Sequence, residues 1–333
     1  MKFAILIAGI AFFLMPSLNA KAGSGSILVA DTQNGGILQY SQSGIQSTYV
    51  AVGGNFFGMT FDSTGNLFAA SESGFVAKYT PNRTRTVFAS GLGLALGLVF
   101  DANGNLFVAY NTSQTTGGIY KITPFGTRTT FDSGLITAVG LAYKSGILFV
   151  ADAGAGIIYK YNAAGVRTVF ATDLSPNSLA FDANGNLFVT DESGSILKFD
   201  SNGNRTTFAS GLPASGVVGL AFDDQGNLYV AVTGNILKFR PDGSEFIFAS
   251  GPQHPGGILF LPGPPVLNIG PLSSNSIQIS WSSISPNYVL QTSSDLTTNN
   301  WNNAGLPITT AQGTNFSVVV PASAGNSFFR LEQ

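Results

Sequence analysis

Three aspartates close apolar strand-like phrases: Asp31 in ILVAD, Asp152 in LFVAD and Asp191 in LFVTD, with Glu192 following the last. Asn111 follows the similar phrase LFVAY, Asn177 precedes SLAF, and the single histidine, His254, stands in GPQHP. Carboxylates and amides gathered at one mouth are what a hard divalent cation needs. A histidine held by a partner can act as a general base. The same Asp at a strand end can instead accept N–H bonds of the following turn, which is its usual structural use. Between prolines, His254 also reads as a packed loop residue, and that reading is favoured. Cysteine is absent, no G-x-S-x-G is present and no phosphate loop follows a strand. Nucleophilic catalysis therefore has no candidate residue. D-x-N-G-N, at Asp101–Asn105 and Asp182–Asn186, looks superficially like a calcium loop. It lacks the closing Glu and the flanking helices of one, and reads as a hairpin turn with Gly at positive φ.

These residues are carried by a repeat. GMTFDSTGNLFAA from Gly58 returns as GLVFDANGNLFVA from Gly97, GLAYKSGILFVA from Gly140, SLAFDANGNLFVT from Ser178 and GLAFDDQGNLYVA from Gly219. It breaks off as GILFLPG from Gly257. A period of about 40 residues made of strand and turn signals alone marks a β-propeller. The unit from Ser178 shows the blade: SLAF, the turn DANGN, LFVTD, SG, ILKFD, NGN and RTTFAS. Alternating apolar and polar residues with Gly/Asn turns predict four antiparallel strands. Six innermost strands predict six blades. The last copy lacks three strands, and SILVAD, GILQYS and QSTYVA at residues 26–51 supply them, which closes the ring and covers its edges. Residues before the first strand and after the second then share a rim around the channel. That places Phe57, Leu96, Val139, Asn177, Val218 and Gly256, with His254 nearby, beside Asp31, Ser71, Tyr110, Asn111, Asp152, Asp191 and Val232. Glu72 and Glu192 are adjacent. The arginines of the R-T-x-F strands (Arg85, Arg128, Arg167, Arg205) are expected on a solvated outer edge.

The chain has 333 residues and a formal net charge of −2. Residues 1–22 join a basic start at Lys2 to an apolar run ending at Met15 and the pattern Ala20-Lys21-Ala22. This is read as a secretory signal, because the apolar run is too short to span a bilayer. Its removal takes Lys2 and Lys21 and leaves a net charge of about −4. The expected localisation is secreted: extracellular, periplasmic or cell surface. No later segment reads as a membrane span. With 10% charged residues and no basic stripe, nucleic acid is not an expected partner. No disulfide can form, so the core alone must hold the fold.

The propeller is assigned to residues 23–262, a linker to 263–265 and a second domain to 266–333. Proline-rich LPGPP marks the boundary. SIQISW alternates with Trp281 on the apolar face, and YVLQTS, NFSVVV and SFFRLE read as further strands of a small β-sandwich. Residues 264–333, with W…YVLQTSSDL…W…FFRL, resemble a fibronectin type III or immunoglobulin-like module.

The six units, residues 26–262, resemble NHL-type repeats and the senescence marker protein/gluconolactonase family of six-bladed propellers. That resemblance implies one divalent metal at the channel mouth, held by a Glu, an Asn and an Asp. Ser175–Asp182 (SPNSLAFD) is similar to the family's P-N-G-L-A-F-D segment, so Asn177 is the matching Asn. The place of the Asp holds Val218, and no Glu precedes Gly58. With one ligand of three, a cofactor is not expected. Virginiamycin B lyase is a second similar family and implies His and Glu as acid and base around a metal; His254 is the only histidine available. The function expected is recognition at the channel rim, of a small molecule, a glycan or a protein, without catalysis. The alternative is a gluconolactonase-like hydrolase or a virginiamycin-B-lyase-like enzyme with a metal at the mouth.

Overall fold

The structure is a computed structural model that describes residues 5–7, 25–51, 54–213, 219–263, 267–273, 276–282, 289–294, 301–305, 309–310, 315–321 and 327–332. The chain divides into two compact units, one of them residues 25–261. That unit is six four-stranded antiparallel sheets. Blade I runs Phe56–Phe61, Leu67–Ser71, Phe75–Tyr79, Arg85–Ser90, and each strand hydrogen-bonds to the next. Blades II to V repeat this order from Leu94–Phe100, Ala138–Lys144, Pro176–Phe181 and Gly219–Phe222. In blade VI the innermost strand Pro255–Leu261 pairs with Ser26–Asp31, and Gly36–Tyr40 and Gln46–Val50 complete the sheet. The register Ser26↔Leu261 to Val29↔Ile258 is the expected closure.

Why the blades stack is visible in the aromatics. The second-strand Phe68, Phe107, Phe149 and Phe188 each meet a fourth-strand Phe of their own blade edge to face, at centroid distances of 5.0 to 5.1 Å. Phe68, Phe149 and Phe188 also meet Phe100, Phe181 and Phe222 of the next innermost strand. Such pairs add to the burial of each blade face. Arg128 and Arg167 are not merely solvated. Arg128 Nη1 donates to the carbonyls of Ser90 and Gly91, and Arg167 Nη1 to that of Gly134, so each clips its blade to the exit of the previous one. Repetition had disguised a specific inter-blade contact as a surface charge.

The D-x-N-G-N turns are structural. Asp101 Oδ1 accepts the N–H groups of Asn103 (2.9 Å) and Asn105 (2.8 Å), and Oδ2 accepts Asn105 Nδ2 at 2.8 Å. Asp182 and Asp223 do the same with Asn186 and Asn227. Gly104 takes φ 76°.

In the second unit, Asn268–Ser273, Ser276–Ser282, Asn315–Pro321 and Thr309–Thr310 form one sheet. Ile5–Ile7, Ser327–Glu332, Val289–Ser293 and Asn302–Asn303 form the other. Trp281 and Ile279 from the first meet Leu290 and Phe329 from the second in one buried core. That is a β-sandwich with Trp281 as its anchor. The rest of residues 1–22, and linker residues 264–265, lie outside the described residues. Among the described residues no helix is long and apolar enough to cross a membrane.

Candidate channel and rim site

Each innermost strand forms one edge of its sheet, so its outer backbone edge faces the channel. Close approach of these strands explains the repeated glycine. A Cβ on Gly58 would overlap the carbonyl oxygen of Leu96, one on Gly97 that of Val139, and one on Gly140 that of Asn177. Each glycine Cα–H therefore points at the next blade's carbonyl, a weak but recurrent contact. The channel so formed has a volume of about 390 Å³.

The rim residues fall into two groups. Asp152, 1% exposed, accepts three backbone N–H groups: Ile136 at 3.0 Å, Thr137 at 2.8 Å and Ala155 at 3.2 Å. Asp191 accepts those of Ser175 (2.7 Å) and Ser193 (3.0 Å). Burial alone would raise its pKa, but the hydrogen bonds from Ser193 and Ser175 outweigh it and hold the carboxyl below its ordinary value. Asp31 accepts Gln33 N, Asn34 N and Asn34 Nδ2. Buried Asn111 bonds both backbone groups of Ala138, donating to its carbonyl at 2.9 Å and accepting its N–H at 3.0 Å. These four residues stitch strand ends and connectors.

The second group faces outward. Glu192 is exposed, and its backbone N–H donates to the Ser175 carbonyl. Glu72 is exposed and accepts Asn55 Nδ2 at 3.1 Å. His254 is exposed; its carbonyl accepts both the N–H and the hydroxyl of Thr32. Asn177 is half-buried at the mouth, beside half-buried Phe57, Leu96 and Val139 at the corresponding places of blades I to III. The side chains of Asn177, Glu192 and His254 make no hydrogen bond among the described residues.

Asn177 does not fit a divalent cation. Its counterparts in blades I to III are apolar, Val218 lies outside the described residues, and the nearby Asp191 carboxylate is turned into backbone N–H groups. Among the described residues no group of three or more His, Asp or Glu is placed to hold a metal ion.

Blade IV departs from the repeat in two places that sequence reasoning passed over. Ser178 stands where the other five blades have glycine, and Thr190 where they have alanine; Ser178 N donates to Thr190 Oγ1 at 2.9 Å. Both departures are legible in the aligned repeats, as SLAF against GLAF and VTD against VAD.

No protein-family model matches the chain, and no curated protein matches it. Solved structures do. A chain of a nidogen/laminin complex is 19% identical with TM-score 0.63, covering 71% of this chain and 98% of that one. A streptogramin B lyase is 12% identical with TM-score 0.56, covering 83% and 94%. A protein described as a putative gluconolactonase is 18% identical with TM-score 0.54, covering 75% and 100%. At these identities the likeness establishes the β-propeller fold and no activity.

Proposed function

We propose that this is a secreted propeller whose channel rim is a recognition surface, without catalysis, for a small molecule, a glycan or a protein. One observation carries the reading. The buried rim acceptors Asp31, Asp152, Asp191 and Asn111 are consumed by bonds to backbone groups and one side-chain amide. What remains at the mouth is a half-buried apolar collar, Phe57, Leu96 and Val139, with Asn177 beside it and Glu192 and His254 outside. An apolar concavity with a few unspent polar groups suits binding. Acid/base chemistry needs a base with an oriented partner, and His254 has none among the described residues. In this reading residues 1–22 direct export, and the sandwich is a fibronectin or immunoglobulin-like accessory module.

The test is binding of the full chain to glycan and peptide arrays, with Phe57→Ala and Asn177→Ala compared. Saturable binding lost in both variants supports the reading. A lactone panel with added calcium, zinc or manganese tests the enzyme alternative. Turnover abolished by chelator and by Asn177→Ala overturns the recognition reading.

A further inference from the structure

We propose that the outer edge of strand Ser327–Glu332, in the sandwich, accepts a strand from a partner protein: an extended, uncharged aliphatic segment that adds antiparallel to it. The chain's own N-terminal segment masks this edge until residues 1–22 are removed. The proposal concerns the second unit and not the rim; only its unmasking step rests on the reading of residues 1–22 as an export signal.

The sheet order places Ser327–Glu332 between Val289–Ser293 and Ile5–Ile7. Val289–Ser293 pairs along almost the whole strand, from Val289↔Glu332 to Ser293↔Phe328. Ile5–Ile7 covers only half of the other edge, from Ile5↔Phe329 to Ile7↔Ser327. These three residues lie inside the segment read as cleaved. Its removal leaves a six-residue strand with no partner strand on that side among the described residues. An open edge of this kind is a template for another chain.

The other edges of the sandwich are guarded. Asn302–Asn303 and Thr309–Thr310 are two residues long, and Asn268–Ser273 carries Pro271. Shortness and proline are common ways of blunting an edge. The sequence SFFRLE has neither proline nor lysine. Its one cation, Arg330, reaches across the sheet instead of guarding the edge. Arg330 Nε donates to Oε1 of Gln291, its neighbour on Val289–Ser293, at 2.8 Å, and its guanidinium lies over the Trp301 ring at 4.5 Å. The strand is also held firmly from within. Phe329 is buried in one core with Trp281, Ile279, Leu290 and Val318. A preformed edge loses little entropy on binding, and main-chain hydrogen bonds supply the affinity of strand addition. The segment seated there, Ile-Leu-Ile, sets the chemistry of the occupant: extended, aliphatic, uncharged and antiparallel. A second copy offering its own Ser327–Glu332 would bring Arg330 and Glu332 in place of an uncharged run.

The probe is the peptide KK-FAILIAG-KK, which carries residues 3–9 between solubilising lysines. It is titrated calorimetrically into residues 23–333 and into the full chain. Residues 23–333 keep every described strand except Ile5–Ile7. They are expected to bind the peptide at one saturable site per chain. The full chain, whose edge is occupied by a tethered competitor, is expected to bind at least ~10-fold more weakly. Replacing both Ile5 and Leu6 of the peptide by proline removes a backbone donor in either phase of the strand, and should weaken binding at least ~10-fold. Bound peptide should slow hydrogen exchange within Ser327–Phe329 and leave Glu245–Ser250, an outer strand of the propeller, unchanged. Absence of saturable binding to residues 23–333 overturns the proposal, as does equal affinity for the proline peptide or new protection at Glu245–Ser250. Self-association of residues 23–333 that protects Ser327–Glu332 without peptide overturns the partner strand in favour of a second copy. N-terminal sequencing of the exported protein keeps the two readings apart: retention of residues 1–22 overturns the unmasking step, and the peptide titration still decides the acceptor edge.

Discussion

The carbonyl oxygen of Asn177 occupies the place that a Cβ on Gly140 would take. The obstacle is backbone, so a side chain there cannot be accommodated by a rotamer change. Gly140→Ala is expected to destabilise the propeller by ~1–3 kcal/mol, the usual cost of overpacking. Gly58→Ala and Gly97→Ala should cost similar amounts, against Leu96 and Val139. Gly270→Ala is the control, since a Cβ there meets nothing within 4 Å. Urea unfolding midpoints check the order. Equal midpoints for Gly140→Ala and wild type would remove strand contact as the reason for the glycine.

Asp152 supports the rim from below. Replacing it by Ala leaves Ile136, Thr137 and Ala155 N–H groups without their acceptor, with an expected loss of ~1–3 kcal/mol. Asp152→Asn keeps the shape but accepts less strongly, and should fall between. Hydrogen exchange at those three amides reports it directly: protection should drop in Asp152→Ala and stay unchanged at Asn186, in the turn after the next inner strand.

The ring was legible because propeller blades advertise themselves locally. The glycine of five of the six inner strands, the Gly-containing turn that follows and the apolar second strand recur at one spacing, and the missing strands of the last copy appear at the start. The site was less legible for the same reason. Asp31, Asp152 and Asp191 sit where a functional carboxylate would sit, and only the N–H groups around them reveal that they are structural. A sequence does not show which lone pairs are already taken. Ser178 carries the opposite lesson. It looks like a minor substitution in a small-residue position, and it gains meaning only from Thr190, whose hydroxyl accepts its backbone N–H.

Buried phenols set an alkaline limit. Burial, reinforced by nearby Asp31, pushes Tyr40 up to about 12. Burial, then the hydrogen bond to Asp132 at 2.7 Å, raises Tyr161, and burial with the Asp223 charge raises Tyr229. A phenol raised in the folded state contributes stability that is fully present below its unfolded value near 10. That contribution is lost as pH climbs through the folded value. Thermal midpoints should therefore hold up to about pH 10 and fall between about pH 10 and 12. Tyr40→Phe should flatten the first part of that fall. On the acid side, Asp191 is depressed, so its contribution is present above the ordinary carboxylate value and disappears as pH drops through its lower folded value. Asp191→Asn should flatten that limb.

Closure of the ring uses only residues between Ser26 and Leu261. Three strands of blade VI come from one end of this segment and its innermost strand from the other, so the two ends are held by the register Ser26↔Leu261. A chain ending at Pro262 should then fold without the sandwich and unfold in one cooperative step. Removing residues 26–51 instead should leave Pro255–Leu261 without a partner strand and expose the faces of blades I and V that blade VI covers through Leu28, Ile27 and Val29. In a repeat ring each blade is stabilised by its neighbours, so this deletion should unfold the whole propeller rather than one blade. Circular dichroism melts of the two truncations separate the cases. A soluble, cooperatively melting protein lacking residues 26–51 would show that closure is dispensable, and an insoluble one ending at Pro262 that the sandwich belongs to the propeller's core.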